Sequence, residues 1–421
     1  MPPSDGAVPA APGSDAAPGA LDGIRIVDLT RIFAGPFCTQ LLADYGAEVI
    51  KIERPGIGDD TRRWGPPYLE GKDGEDTTES AFYLSANRNK RSVTIDISRQ
   101  KGRDLILGLL ERSDVLIENY RVGALARYGL GYDDLKERFA GLVYCSITGY
   151  GQTGPYANRP GYDLMAQGMG GIMSVTGEPD GAPMKVGIGI ADIMTGMHAA
   201  TAVLAALRHR DATGTGQHID LGLLDSQVSW LAYHAVEYLN MGTNPERLGN
   251  AHAAVVPYGV FPSADGHVIV AAGNDGQFVK LCDVAGAPEL PRDPRFATNP
   301  LRIENRAELE PVLRDILAAR TTDDWVAALE DAGVPCGPIN TLDRVFADPH
   351  VAARGSAIEM PHPLSATGTI GLAASPAKLS ETPLSYRVPP PTLGQHTDAV
   401  LGELLDLDGP ALAALRDDGV I

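Results

Sequence analysis

The chain has 421 residues, and its 54 Asp and Glu against 35 Lys and Arg leave a formal charge of −19 at pH 7. A sequence pI near 4.8 offers no basic surface to replace phosphate counterions, which argues against nucleic acid and against anionic membranes as partners. The apolar content of 44% is enough for a sizeable core, and the length suits two domains or one large domain with an insertion.

No run approaches the ~18 uninterrupted apolar residues of a spanning helix, so a soluble chain is expected. Cys38, Cys145, Cys282 and Cys336 stand far apart, fitting neither a disulfide framework nor a zinc site. Residues 1–20 are almost all Ala, Pro, Gly, Ser and Asp without a basic residue. They read as a disordered tail, and a reducing cytoplasm is the expected compartment.

After the tail, IRIVDLT (24–30), AEVIKIE (47–53), SVTIDI (92–97), DVLIEN (114–119) and LVYCSIT (142–148) read as strands. Helical spacing of apolar residues at Pro36 to Tyr45 and Arg99 to Arg112 separates some of them. This alternation predicts a parallel α/β sheet, because parallel neighbours need crossovers of about a dozen residues or more. Ligands of such sheets sit beyond the C-terminal strand ends, where DLTRIFAGP, IERPG, ENY and SITGYGQTGP would lie. Ala191 to Arg208 reads as a helix, and Gln217 to Leu221 leads into a second long helix ending near Leu239. The character changes near Gly249. PYGVFPSADGHVIVAAGN reads as a hairpin turning at Asp265-Gly266, followed by helices near Asp275–Ala285, Arg302–Ala319 and Thr322–Ala332, a second and smaller α+β domain. A Pro-rich stretch from Arg387 to Thr392 leads to a closing helix at about Thr397–Leu407.

Familiar catalytic signatures are missing: no G-x-x-x-x-G-K-[ST], H-E-x-x-H, G-x-S-x-G or C-x-x-C occurs. The turn after the first strand, TRIFAGP, lacks the glycines that let a pyrophosphate approach the backbone. Gly168-Met169-Gly170-Gly171 sits in a helical pattern and reads as close packing. The histidines do not cluster at metal-ligand spacing, so no metal is expected and carboxylates become the candidates. Asp163 in RPGYDLMAQGMGG and Asp192 in VGIGIADIMTGMHAA lie in apolar, glycine-punctuated surroundings where a charge is unfavourable to bury. Each also reads as a helix N-cap, and capping is compatible with chemistry because a helix N-terminus keeps a carboxylate ionised.

Several segments together resemble one family. LDGIRIVDLTRIFAGPFCTQLLADYGAEVIKIERPGIGDDTR, NRNKRSVTIDI, ENYRVGAL, SITGYGQTGP and PPPTLGQHTDAVL are similar, in order and spacing, to the class III, formyl-CoA transferase-like coenzyme A transferases. Within that family DLTRIFAGPF, GDDTRRWGPP, RNKRS, YCSITGYGQTGP and VVPY look closest to the members that exchange CoA between succinyl-CoA and glutarate. The resemblance implies a Rossmann-like large domain with a parallel sheet, a smaller α+β domain, and a homodimer of interlocked chains. The expected division is a tail (1–20), the first part of the large domain (21–225), a linker helix with the small domain (226–340), and a return linker completing the large domain (341–421).

The resemblance also implies a mechanism. An aspartate attacks the thioester of an acyl-CoA, giving an acyl–aspartyl anhydride and then an aspartyl-CoA thioester, from which CoA passes to a free carboxylic acid. Gly189 to Gly196 loosely matches the segment G-x-x-x-[AGT]-D-x-x-[ST]-G and places Asp192 as nucleophile. A carboxylate with an ordinary pKa of about 3.9 is ionised at neutral pH without a general base, and orientation offsets its weak nucleophilicity. CoA thioesters are then substrates, with no permanently bound cofactor.

Asp163 matches the auxiliary acid beside the nucleophile; two facing carboxylates disfavour joint ionisation, so Asp163 is expected to share a proton and donate a hydrogen bond. By the same resemblance Phe33, Ala34, Arg54, Asn119, Tyr120, Arg127 and Tyr128 occupy CoA-binding positions, helped by Lys90 and Arg91. Where the formyl-CoA enzymes have a glycine run, this chain has Gly249-Asn250-Ala251-His252-Ala253-Ala254, and His252 is expected to touch the acyl group. Arg31, Arg62 and Arg247 are candidates for the distal carboxylate of a small dicarboxylate acceptor. An α-methylacyl-CoA racemase-like epimerase is the rival, but its histidine position is Tyr162 here, and an ordinary phenol with a pKa near 10 is a poor proton shuttle. A non-catalytic CoA-binding subunit is the other alternative, which leaves Asp192 without a purpose.

Overall fold

The structure, a computed structural model, describes residues 18–421; most of the expected tail lies outside them. Two compact units result. The larger takes the described residues up to Gly171, then Gly187–Ala232 and Ala353–Ile421, and the smaller takes Ile172–Val186 and Tyr233–Ala352. Relative to the divisions read from sequence at 225 and 340, the chain passes over at Ala232 and Ala352 and makes an extra excursion at 172–186.

The larger unit is built on six parallel strands: β1 (Arg25–Leu29), β2 (Glu48–Glu53), β3 (Lys90–Thr94), β4 (Val115–Glu118), β5 (Val143–Thr148) and β6 (His218–Gly222). Their spatial order is β3-β2-β1-β4-β5-β6, the doubly wound order that reverses between β1 and β4. Pleating sends alternate residues to opposite faces. Ile26, Val49, Val115, Ile117 and Cys145 thus pack with helices α1 (Ala34–Asp44) and α2 (Ile190–Thr213). Val27, Leu29, Ile50, Ile52 and Leu116 pack on the other face with the Gln100–Leu110 and Thr397–Leu405 helices. That last helix is fixed to β3 across the sequence: the His396 N–H donates to the Ser92 carbonyl at 2.9 Å, and Thr397 Oγ1 accepts the Thr94 N–H at 3.0 Å.

By length and composition, α2 is the one helix among the described residues long and apolar enough to cross a membrane. Its Ala191, Ala199, Ala200, Val203, Ala206 and Leu207 belong to the core, which makes it a buried helix of the sheet layer. Gly196 sets its approach to α1: a Cβ there would lie 2.7 Å from the Ala34 carbonyl oxygen and 3.3 Å from the Cys38 nitrogen.

The second long helix read from the sequence is broken. Leu223–Ser229 ends near Trp230, and Ala232–Met241 begins with Ala232 at φ +46. The chain leaves the larger unit at this kink. In the smaller unit Tyr258–Ser263 and Gly266–Ala271 form the expected hairpin, joined by Cys336–Pro338 into a three-stranded antiparallel sheet. Ser263 pairs with Gly266, so the turn residues are Ala264 and Asp265, one position earlier than read. Asp265 Oδ1 accepts the Thr322 N–H at 2.8 Å and ties the turn to a helix. Phe261, Val268, Val270, Phe278, Leu313 and Trp325 form this unit's core.

Candidate active site

The loops after β1 and β4 face each other where the strand order reverses, the position at which such sheets open a ligand crevice. Asn119 joins them: its Oδ1 accepts the Arg31 N–H at 3.0 Å and its Nδ2 donates to the Arg31 carbonyl at 2.6 Å. From below, the fully buried Lys51 donates to the Thr30 carbonyl at 3.0 Å and to Asp59 Oδ2 at 2.9 Å. Asp59 Oδ1 in turn accepts the Ile32 N–H at 3.1 Å. These contacts hold Ile32 at φ +73, an uncommon conformation for a β-branched residue that persists only where surroundings impose it.

Two adjacent clefts open here. One, of about 430 Å³, is lined by Arg54, Ile57, Ile97, Ser98, Tyr128 and others. The second, of about 170 Å³, is lined by Phe33, Ala34, Asn119, Thr148, Tyr162 and Asp192 among others. Arg31 and Tyr120 line both. Phe33 is half-buried, its ring 6.1 Å from that of Phe37 and edge-on to Phe82 at 6.2 Å. The Tyr120 N–H donates to Glu118 Oε2 at 2.7 Å, which anchors the β4 loop.

Asp192 lies in the first turn of α2, but it does not cap that helix; Gly189 occupies the cap position. The cap hydrogen bonds come from outside. Asp163 Oδ1 accepts the N–H of Ala191 at 2.8 Å and of Asp192 at 3.3 Å, and Gln167 Nε2 donates to Asp163 Oδ2 at 2.7 Å. Asp163 therefore accepts in all three contacts and orients the first turn of α2. Burial, and then the neighbouring Asp163 carboxylate, push the pKa of Asp192 up to about 7. Gly189 lies between the two acids. A Cβ on it would sit 3.7 Å from Asp163 Oδ1 and 3.8 Å from Asp192 Oδ2.

Of the residues nominated for CoA, Phe33, Ala34, Arg54, Asn119, Tyr120 and Tyr128 line the clefts. Arg127 is exposed and lines neither, although it adjoins Tyr128. Lys90 is fully buried, donating to the Pro36 carbonyl at 2.8 Å and Asn87 Oδ1 at 2.9 Å, with Asp28 Oδ2 at 3.4 Å; it presents no atom to a phosphate. Burial pulls its ammonium down to about 7, against the attraction of Asp28. Arg91 is engaged by Glu48 and Glu403, each at 2.8 Å.

The acceptor candidates also separate. Arg31 lines both clefts and pairs with Asp60 at 2.7 Å. Arg62 is buried, chelated by Glu53 and Glu79 at 2.8 Å, with its guanidinium 3.7 Å from the centre of the Tyr83 ring. No face of it is left for a ligand. Tyr162 stands 55% exposed at the rim of the smaller cleft. Arg247 and His252 belong to the smaller unit. There Arg247 donates to the Gly181 carbonyl at 2.8 Å, and His252 Nδ1 accepts the Ala254 N–H at 3.1 Å. Sequence reasoning missed Arg121 and Arg159, which also line the Asp192 cleft. Arg159 stands four residues before Asp163, a proximity visible in RPGYD but uninformative without the loop's path.

Comparison with known proteins shows the family. The profile of CoA-transferase family III matches residues 21–397. A succinate–glutarate CoA-transferase from Agrobacterium fabrum is 46% identical over 93% of this chain and 97% of its own length. The human succinyl-CoA:glutarate CoA-transferase is 44% identical over 95% of this chain and 90% of its own. Among solved structures, a CAIB/BAIF family protein from Brucella suis superposes with a TM-score of 0.84 at 46% identity, covering 92% of this chain and all of that one. The chain belongs to CoA-transferase family III and is a class III CoA-transferase.

Proposed function

We propose that this enzyme moves CoA from succinyl-CoA to a small dicarboxylate of the glutarate type, with Asp192 as covalent nucleophile. The observation that carries this reading is the position of Asp192 in a cleft that shares Arg31 and Tyr120 with a larger one. The pair of clefts suits a long ligand with its thioester at Asp192 and its nucleotide toward Arg54 and Tyr128. The relatives named for succinate, succinyl-CoA and glutarate support the choice of acids.

The Asp192 carboxylate attacks the thioester carbonyl, the C–S bond breaks, and CoA leaves as thiolate from an acyl–aspartyl anhydride. The thiolate then attacks the aspartyl carbonyl and expels the donor acid, leaving an aspartyl-CoA thioester. An incoming carboxylate attacks that thioester, CoA thiolate departs, and its return to the acceptor's acyl carbon frees Asp192. Every step exchanges one anion for another, so no net proton, metal or nucleotide is needed. Desolvation makes the Asp192 carboxylate more basic, and hence a stronger nucleophile once ionised; Asp163 fixes the helix turn that carries it.

Two chains are proposed to form the active dimer. Tyr233, Val236, Tyr238, Leu239 and Met241, on one helix, are each more than half exposed, an apolar surface that a lone chain leaves in water. Incubation with succinyl-CoA should leave a hydroxylamine-sensitive adduct on the Asp192 peptide, and Asp192→Asn should fold yet lose transfer to glutarate. Wild-type turnover in that variant would refute the nucleophile.

A further inference from the structure

Three guanidinium groups line the cleft that holds Asp192: those of Arg31, Arg121 and Arg159. They are not equivalent. Arg31 is already paired with Asp60. Arg121 follows Tyr120, the residue shared with the larger cleft. Arg159 belongs to the segment that runs through Tyr162 to Asp163. Among the described residues its side chain makes no ion pair; its guanidinium carbon rests 3.8 Å from the centre of the Tyr156 ring. Stacking on a ring face orients a guanidinium while leaving its in-plane N–H groups free for a carboxylate.

The segment bearing Arg159 is fixed in place by backbone contact. A Cβ on Gly161 would lie 2.4 Å from the Gly149 Cα, and one on Gly149 would lie 2.5 Å from the Gly161 Cα. Only a glycine pair allows the loop to rest directly on the turn after β5. Its N-terminal part is closed by the Arg159 N–H donating to the Tyr156 carbonyl at 2.8 Å.

An acceptor that attacks at Asp192 with one carboxylate must place the rest of its carbon chain in this small cleft. A second carboxylate at the far end enters a protein of charge −19 and close to Asp163, so it requires a local cation. We propose that Arg159 binds this distal carboxylate and thereby selects dicarboxylates over monocarboxylates of equal length. The inference rests on the reading of Asp192 as the transfer site, and it assigns to Arg159 the role first expected of Arg31, Arg62 or Arg247.

The test compares glutarate with pentanoate as acceptor in the wild type, Arg159→Gln and Arg159→Lys, alongside binding of free CoA, which has no acyl carboxylate. Arg159→Gln is expected to reduce the glutarate-over-pentanoate ratio of kcat/KM by about 10- to 100-fold, the worth of a charge-assisted hydrogen bond or two. Arg159→Lys should retain part of the preference, and the affinity for free CoA should be unchanged. Equal loss on both acceptors, weakened CoA binding with the preference intact, or a wild type that does not prefer glutarate would each overturn the proposal. A wild type that transfers CoA to no carboxylic acid would instead remove the functional reading on which it rests.

Discussion

Asp163 caps the helix that carries Asp192 and also repels its charge: the same Oδ1 accepts the backbone N–H of Ala191 at 2.8 Å and of Asp192 at 3.3 Å. One contact orients Asp192, the proposed nucleophile, while burial and the like charge raise its pKa to about 7. Positioning and pKa are thus coupled through a single side chain.

The first consequence is a pH profile. In the proposed mechanism the attacking form is the carboxylate, so kcat/KM is expected to rise with pH, by about tenfold per unit well below the pKa, and to level off above about 7. Initial rates of transfer from acyl-CoA to a free acid check this. A rate independent of pH from the acid side to neutrality would contradict the raised pKa.

The second concerns stability. A folded-state pKa of about 7 lies above the ordinary carboxylate value near 3.9, so between the two the folded chain holds a proton that the unfolded chain has released. Stability contributed by this group is therefore present in acid and lost as pH rises toward 7. Asp192→Asn removes the loss. Its melting temperature at pH 8 is expected to exceed that of the parent by about 2–4 °C, the shift of ~1 kcal/mol in a domain of this size. The gap should narrow at pH 5 and close below about pH 4, under the unfolded value; a variant less stable than the parent across this range would refute the argument.

Arg54, exposed on the wall of the larger cleft, is proposed to bind CoA. Arg54→Ala is expected to raise KM for acyl-CoA by about tenfold with little change in kcat, and added salt should reduce the difference between variant and wild type. An unaltered KM at low ionic strength would move the nucleotide elsewhere.

Arg62 is assigned to the fold. Its guanidinium bridges the buried Glu53 and Glu79, donates to the Tyr83 hydroxyl at 2.6 Å and to the Pro391 carbonyl at 3.1 Å. Arg62→Met leaves two buried carboxylates without their cation and should destabilise the protein by about 3–5 kcal/mol. Denaturant unfolding measures this, and a stable variant with a selective loss of dicarboxylate binding would restore Arg62 to the substrate.

Gly196 lies one turn beyond Asp192, against the Ala34 carbonyl. Gly196→Ala cannot be relieved by a side-chain rotation, because the obstructing atom belongs to the backbone. The helix must move away from α1, and a stability loss of about 1–3 kcal/mol is expected. Because Phe33 and Ala34 share the cleft with Asp192, kcat should fall as well. Full activity at full stability would mean that the two helices are not held at this separation.

The sequence by itself determined the alternation of strands and helices and with it a parallel α/β sheet, because β-branched runs and helical spacing are local signals, while the choice of Asp192 came from the family resemblance. Its order of motifs also carried the family. The break before Ala232 and the excursion at 172–186 were invisible to it, since each depends on which remote surface a segment covers. Charged residues show the same boundary most clearly. Arg54, Arg62, Lys90 and Arg159 are equivalent cations in a linear chain, yet the fold leaves Arg54 exposed on a cleft wall, encloses Arg62 between Glu53 and Glu79, buries Lys90 against Asp28 and stacks Arg159 on Tyr156. Whether a charge binds a ligand or a buried partner is decided by desolvation and by neighbours brought from other strands, and only the tertiary structure supplies those.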